Sequence, residues 1–250
     1  MPIESSMDGS LARITLNDPP RNLLSPENLV SMLEALAGFR EAGAPVLLLA
    51  SRGRHFSTGY PIDAIPETIF HADGRVRDSD PFQRLMNELS EYPSPIVAAI
   101  QGDAYGGAVE LLSCTDIRIG AEGSRFALPS VRLGLVYSHS GMRRLASRLG
   151  ASLTREMLLT GSPILARRAY EAGFLNRLVP ADELEAETQR VLDELGKGTE
   201  LGLTGTRRLL NLLDEAEHLP VETLEEVARL RHEAYRSEAS RRAREDFGKK

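Results

Sequence analysis

Apolar residues recur along this chain at two different periods, and the switches between them lay out its elements. "LARITL" (residues 11–16) alternates apolar and polar positions and predicts a strand. A turn of Pro and Asn follows, and Ser25-Pro26 then offers a capping side chain with proline in the first helical turn. "ENLVSMLEALAGFREAG" (27–43) carries apolar residues at helical spacing and stops at Gly43. "APVLLLAS" (44–51) and "SPIVAAIQG" (94–102) are short apolar runs of the kind that forms buried strands. Between them lie a long loop (52–80), whose length points to function or mobility, and a helical segment, "PFQRLMNELSEY" (81–92).

Gly106-Gly107 opens a further helix, "DIRIG" (116–120) adds a strand, and helical patterns follow in "SGMRRLASRLG" (140–150), "SLTREMLLTG" (152–161) and "ARRAYEAG" (166–173). A short strand is predicted in "FLNRLVP" (174–180), and from residue 181 onward the pattern is wholly helical. Strands alternating with helices predict a layered α/β domain with parallel pairings. A composition shift in "GKGTELGLTG" (196–205) marks a boundary near residue 196. The chain has no 20–50-residue repeat, P-loop or G-x-G-x-x-G fingerprint.

Composition changes this picture little. The 250 residues are 42% hydrophobic and 26% charged, enough for a large core. A net charge of −6 argues against a nucleic-acid partner, and the Arg-rich tail (236–250), with Glu and Asp interleaved, reads as a solvated helix end. No apolar run reaches the roughly 20 residues of a membrane helix. The N-terminus does not read as a signal peptide, and the single Cys114 fits a reducing compartment, so a soluble cytoplasmic protein is expected. Cys114 sits in the helical run "VELLSC" and reads as a small core residue, with no local His to activate it.

Candidate chemistry centres on residues 102–120, "GDAYGGAVELLSCTDIRIG". Glu110 follows the paired glycines by one turn in an otherwise apolar stretch. It can be a first-turn residue favoured by the helix dipole, or a catalytic carboxylate beside an anion-stabilising helix start. Gly106 and Gly107 allow close backbone approach, or make a tight strand-to-helix turn, or both. Asp116 reads as a structural hydrogen-bonding group and His55 as packing or solvent-facing. Arg54 and Arg132 are given no role.

The ordered set "HFSTGYPIDAI" (55–65), "SPIVAAIQGDAYGGAVELLSCTDIRIG" (94–120), "RFALPSVRLGLVYSHSGMRRLASRLG" (125–150) and "LTGSPILARRAYEAGFLNRLVP" (159–180) resembles the crotonase superfamily, the enoyl-CoA hydratase/isomerase family. The flanking "DPPRNLLS" (18–25) also fits. The resemblance implies an α/β fold, the crotonase-type stacked β-β-α superhelix. It implies a spiral core with a thioester site over residues 1–195, and a helical C-terminal region, 196–250, that builds a homotrimer or hexamer. It implies an acyl-CoA or acyl-carrier-protein thioester as substrate, with coenzyme A part of that substrate and no separate cofactor or metal. Carried over, the two backbone N–H donors of the oxyanion hole fall on Tyr60 and Gly107.

Glu110 matches one of the two acid/base glutamates of the hydratases, and Ser130 stands where the second would be. Hydration uses both carboxylates, whereas Ser130 is no base at neutral pH without help. "YGGAVE" (105–110), "LGLVYSHSG" (133–141), "DSDPFQRL" (78–85) and "AYRSEA" (234–239) resemble the methylmalonyl-CoA decarboxylase branch more closely. That likeness places Tyr137 beside the acyl group; the residue alone reads as a half-buried tyrosine with its hydroxyl bonded to backbone. Tyr60 stands where this branch has histidine, and Pro61 replaces an acidic residue. His139 is a candidate substrate contact or an N-cap neighbour, and Arg21 a candidate for the CoA phosphates or a solvent-exposed arginine. The expected reaction is decarboxylation of an α-carboxyacyl thioester such as methylmalonyl-CoA. The alternatives are a hydratase or isomerase working with one glutamate, and an inactive scaffold of the same fold.

Overall fold

The computed structural model describes residues 2–65, 80–215 and, nearer the C-terminus, 225, 228–229, 232–233 and 235–247. Part of the long loop and parts of the C-terminal helical region and the Arg-rich tail therefore lie outside the described residues. The chain begins with a hairpin of β1 (Ile3–Asp8) and β2 (Leu11–Leu16), joined at Gly9, whose φ is 55°. Helix α1 (Pro26–Glu41) starts where expected: the Ser25 side chain accepts from Asn28 N and proline occupies the first turn. Then come β3 (Val46–Ser51), β4 (His55–Ser57), α2 (Pro81–Ser90), β5 (Ile96–Ile100), β6 (Asp103–Tyr105) and α3 (Gly107–Ser113). Next are β7 (Ile117–Ala121), β8 (Arg125–Ala127), α4 (His139–Leu149), α5 (Ala151–Thr160), β9 (Ile164–Leu165) and α6 (Ala166–Glu171). The core closes with β10 (Arg177–Val179), α7 (Leu184–Leu195) and α8 (Glu200–Glu215).

Among the described residues the strands form two sheets, ordered β1-β2-β3-β5-β7-β10 and β4-β6-β8-β9. The first is parallel except for the β1–β2 hairpin. Each turn of the chain gives one strand to each sheet: β3 then β4, β5 then β6, β7 then β8. This is the stacked β-β-α superhelix. Parallel strands buried on both faces read as continuous apolar runs, because alternate residues serve two cores. Leu47, Leu49, Ile96 and Ala98 enter the main core with α1, α2 and α3. Leu48, Val97 and Ile119 instead meet Leu184 and Val191 of α7.

Two differences from the sequence-based expectation have simple causes. Residues 3–8 form β1, although "IESSMD" lacks an apolar face, because an edge strand needs only one partner for its backbone. The strands of the second sheet are two or three residues long, too short to produce a period. Close backbone approach sets them: a Cβ on Gly102 would lie 1.9 Å from Arg54 O.

Helix α8 is tied to this core by a buried cation. Arg207 is 3% exposed and its Nε donates to Asp116 Oδ2 at 2.7 Å. Its other nitrogens donate to the carbonyls of Leu89, Ser90 and Tyr92. Asp116 Oδ2 also accepts from Ile96 N at 2.7 Å, so it is the structural hydrogen-bonding group that its sequence context indicated. Arg207→Met removes the charge that Asp116 faces and the guanidinium donors to the Leu89, Ser90 and Tyr92 carbonyls, leaving Asp116 Oδ2 with Ile96 N. Breaking such a pair costs about 3–5 kcal/mol, so the melting temperature falls by roughly 10 °C, measured by calorimetry on the intact chain.

Candidate active site

Two backbone amides from distant parts of the chain converge beside α3. Strand β4 leads through Gly59 to Tyr60, and β6 leads through Gly106 into Gly107. Gly59, at φ 85°, packs so tightly that a Cβ there would lie 2.4 Å from Tyr105 O and 3.1 Å from Gly107 N. A Cβ on Gly107 would lie 3.5 Å from Tyr60 N and 2.9 Å from the Phe82 ring. Only glycine fits at position 59, against fixed backbone, and at position 107 a side chain would have to displace the Phe82 ring. Among the described residues neither Tyr60 N nor Gly107 N donates to a protein acceptor. Two neighbouring donors left unengaged by the protein are what a developing oxyanion requires.

The Tyr60 side chain is occupied elsewhere. Its hydroxyl donates to Ala64 O at 3.3 Å, and its ring meets Phe82 edge-on at a centroid distance of 5.8 Å. Burial, with the nearby Asp80 and Glu27 charges, pushes that hydroxyl up to about 12, so it keeps its proton. Gly106 caps α3 at φ 57°, and its N–H donates to Ala127 O.

Glu110 lies one turn into α3, 3% exposed, between the buried Val109 and Leu111. A carboxylate in such surroundings must be paired. Arg144 Nη1 reaches Glu110 Oε1 at 3.1 Å, with the two side chains 11% and 4% exposed. Arg144 Nη2 donates to Asn87 Oδ1 at 2.6 Å. The Gln83 amide is assigned with its oxygen toward the guanidinium, which reaches it at 3.0 Å from both η nitrogens, and with its nitrogen donating to Ser140 Oγ. The first turn of α4 closes the other side: a Cβ on Gly141 would lie 2.9 Å from both carboxylate oxygens. Ser138 caps that turn by accepting from Gly141 N at 3.0 Å.

Tyr137 immediately precedes this cap, and its hydroxyl would lie 4.0 Å from a Cβ on Gly106. Burial, reinforced by the Glu110 charge, drives the phenol far above its ordinary range. The Tyr137 phenol therefore keeps its proton. The structure brings Tyr60, Gly106, Gly107, Glu110 and Tyr137 around one place.

The remaining candidates are placed as follows. Ser130 lies in the turn Pro129–Leu133; its carbonyl accepts from Leu135 N, and among the described residues its hydroxyl makes no hydrogen bond to protein. His139 is the first residue of α4, directly after the cap. Arg21 is exposed, with its carbonyl accepting from Thr58 N at 2.9 Å beside the segment that leads to Tyr60. His55 packs near Asp103, 3.7 Å from Nδ1 to Oδ2, and against the Tyr105 ring. Cys114 is a core residue: it contacts Met86 Sδ at 3.7 Å, and burial pushes its thiol up. Sequence reasoning missed Arg144 and Gly141. Their spacing of three puts them on one side of a helix, but nothing in "SGMRRLASRLG" says that this side faces Glu110.

Comparison with known proteins gives the family and the fold. Residues 6–245 match the enoyl-CoA hydratase/isomerase family. The chain is 28% identical over 221 residues to the methylmalonyl-CoA decarboxylase of Escherichia coli (strain K12), covering 87% of this chain and 83% of that one. It is 32% identical over 205 residues to a putative enoyl-CoA hydratase of Thermus thermophilus, covering 81% of each. A solved methylmalonyl-CoA decarboxylase in complex with 2-nitronate-propionyl-CoA superposes with a TM-score of 0.90 at 26% identity, covering 100% of this chain and 96% of that one.

Two measurements test the site's packing. Cys114 in the native protein stays unmodified by a thiol reagent and reacts once denaturant is added; rapid native labelling contradicts the burial. Gly107→Ala drives a methyl group into the Phe82 ring and displaces one amide. Loss of one such donor costs about 10²–10³ in rate. Turnover falls by that order while circular dichroism stays native.

Proposed function

The chain belongs to the enoyl-CoA hydratase/isomerase family, whose members are enzymes acting on acyl-CoA thioesters, and on that premise we propose that it removes CO₂ from an α-carboxyacyl-CoA such as methylmalonyl-CoA. The observation that carries this reading is a buried carboxylate, Glu110, beside two amides that no described protein acceptor engages, with serine at the position of the family's second carboxylate. Decarboxylation activates no water, so it does without the second carboxylate that hydration uses.

In this mechanism the thioester oxygen sits between Tyr60 N–H and Gly107 N–H. The substrate carboxylate is turned out of the thioester plane, so that the breaking C–C bond overlaps the carbonyl. That bond breaks, its electron pair becomes the enolate, and CO₂ leaves. The two amides take the negative charge without reorganising. The enolate then collapses as its α-carbon takes up one proton, which Glu110 relays from solvent, and the thioester carbonyl re-forms. Tyr137, held protonated, donates to the departing carboxylate and keeps it in the twisted pose. A second anion beside Glu110 would be repelled, but the Arg144 charge 3.1 Å away balances Glu110 and admits it.

A second reading rests on the putative enoyl-CoA hydratase relative, which at 32% identity exceeds the decarboxylase at 28%. In that reading Ser130 or a bound water covers for the missing carboxylate.

The test is the purified full-length protein on a panel of acyl-CoAs, read by mass spectrometry. Methylmalonyl-CoA or a related α-carboxyacyl-CoA loses CO₂, while crotonyl-CoA is hydrated poorly. Fast hydration of crotonyl-CoA without CO₂ release from any member of the panel selects the second reading. No turnover and no acyl-CoA binding leaves an inactive scaffold. Glu110→Gln folds and loses about 10²–10⁴ in kcat, as removal of a general acid–base group does. Tyr137→Phe slows CO₂ loss. A well-folded Glu110→Gln protein with wild-type turnover returns Glu110 to the role of a helix-start residue.

A further inference from the structure

We propose that Arg144 and Gly141, one turn apart on α4, form a cradle that fixes the direction of the Glu110 carboxylate, and that both are positioning residues for catalysis. The proposal rests on the reading of Glu110 given above. It begins from an imbalance in the site. The two amides are fixed by backbone, but Glu110 is a side chain with three rotatable bonds, and α3 alone does not decide where its oxygens lie. General acid–base chemistry at carbon requires that they lie in one place: a misplacement of about 1 Å can cost about 10²-fold in rate.

Three contacts supply that constraint. Arg144 Nη1 holds Oε1 at 3.1 Å. The guanidinium is itself held, with Nη2 on Asn87 Oδ1 at 2.6 Å and the Gln83 oxygen at 3.0 Å from both η nitrogens. Asn87 and Gln83 are both on α2, one turn apart, so two helices fix the plane of the fork. On the α4 side the missing Cβ of Gly141 lets both carboxylate oxygens lie flat against the helix, 2.9 Å from where that Cβ would be. An alanine there pushes the carboxylate away from α4. The planar guanidinium matters as much as its charge, because one group must satisfy Glu110, Asn87 and Gln83 together. A lysine ammonium provides the charge without the fork.

The experiment uses the full-length protein and two activities: CO₂ release from methylmalonyl-CoA, and deuterium incorporation at the α-carbon of propionyl-CoA in D₂O. Gly141→Ala lowers kcat by about 10²-fold in both activities while KM is little changed; Arg144→Met lowers kcat by the same order in both, with KM little changed for propionyl-CoA, which brings no second carboxylate to the site. Arg144→Lys recovers part of the loss. In the Glu110→Gln background Arg144→Met has no further effect on the residual rate, because the residue it positions is gone. Wild-type kcat in Arg144→Met, or an equal loss with and without Glu110, overturns the proposal. Arg144→Met strands a buried carboxylate and can fail to fold. In that case Arg144→Lys decides: a lowered kcat at unchanged KM supports the cradle, and an unchanged kcat overturns it. A wild-type protein that neither releases CO₂ nor exchanges the α-deuterium overturns the functional reading itself, and the cradle with it. A wild-type protein active in both assays leaves the variants to judge the cradle alone.

Discussion

Everything in this site depends on bringing two bare amides together without spending either on the protein. Backbone N–H groups buried in a fold are nearly always bonded, so a pair kept open needs a surrounding structure that holds it. Here that structure is the β4–β6 pairing, with Gly59 pressed against the Tyr105 carbonyl and Gly107 against the Phe82 ring. A side chain at Gly59 separates the segments, and one at Gly107 displaces the Phe82 ring. The same demand explains why each turn of the superhelix places a short strand in the second sheet. Those strands send Phe56, Ala104 and Phe126 into the core, and the β4–β6 pairing carries the segment at Tyr60 beside the start of α3.

The acidic group then has to be delivered into an apolar setting next to this anion site. Glu110 is 3% exposed, and an isolated carboxylate so buried would cost several kcal/mol. Arg144 offsets that cost, and its charge also makes the neighbourhood tolerable for a substrate carboxylate and for the enolate that follows. Buried arginine recurs as a structural device in the chain. Arg207 links α8 to Asp116, and Arg118 binds the carbonyls of Phe174 and Thr115 while burial lowers it to about 10. Arg144 differs from these two in having a candidate catalytic carboxylate as its partner.

Much of this was legible in the sequence. The long apolar runs at 46–51 and 96–100 are the central strands, and Ser25-Pro26 starts α1 where its capping chemistry indicates. Gly106, Gly107 and Glu110 stood out because a carboxylate in an apolar helix needs a reason. The rest was hidden for physical causes. Strands of two or three residues are held by neighbours, not by their own pattern. "IESSMD" pairs with β2 through backbone and buries only Ile3 in the core, too little to make a pattern. Arg144 looks in sequence like one of several arginines on an exposed helix, and only the packing of α4 against α3 gives it a partner. Tyr137 could not be assigned from its own residue type, because a core tyrosine and one above a substrate share the same half-buried setting.

The central claim is that the Tyr60 and Gly107 amides polarise a thioester carbonyl beside Glu110. The most direct measurement is the vibrational spectrum of propionyl-CoA carrying ¹³C at the thioester carbonyl, free and bound to the full-length protein. Two strong hydrogen bonds draw charge onto the oxygen and weaken the C=O bond. The account predicts that the carbonyl stretch moves to lower frequency on binding, and that the move shrinks in Gly107→Ala. A bound ligand whose carbonyl stretch stays at its solution frequency would contradict it.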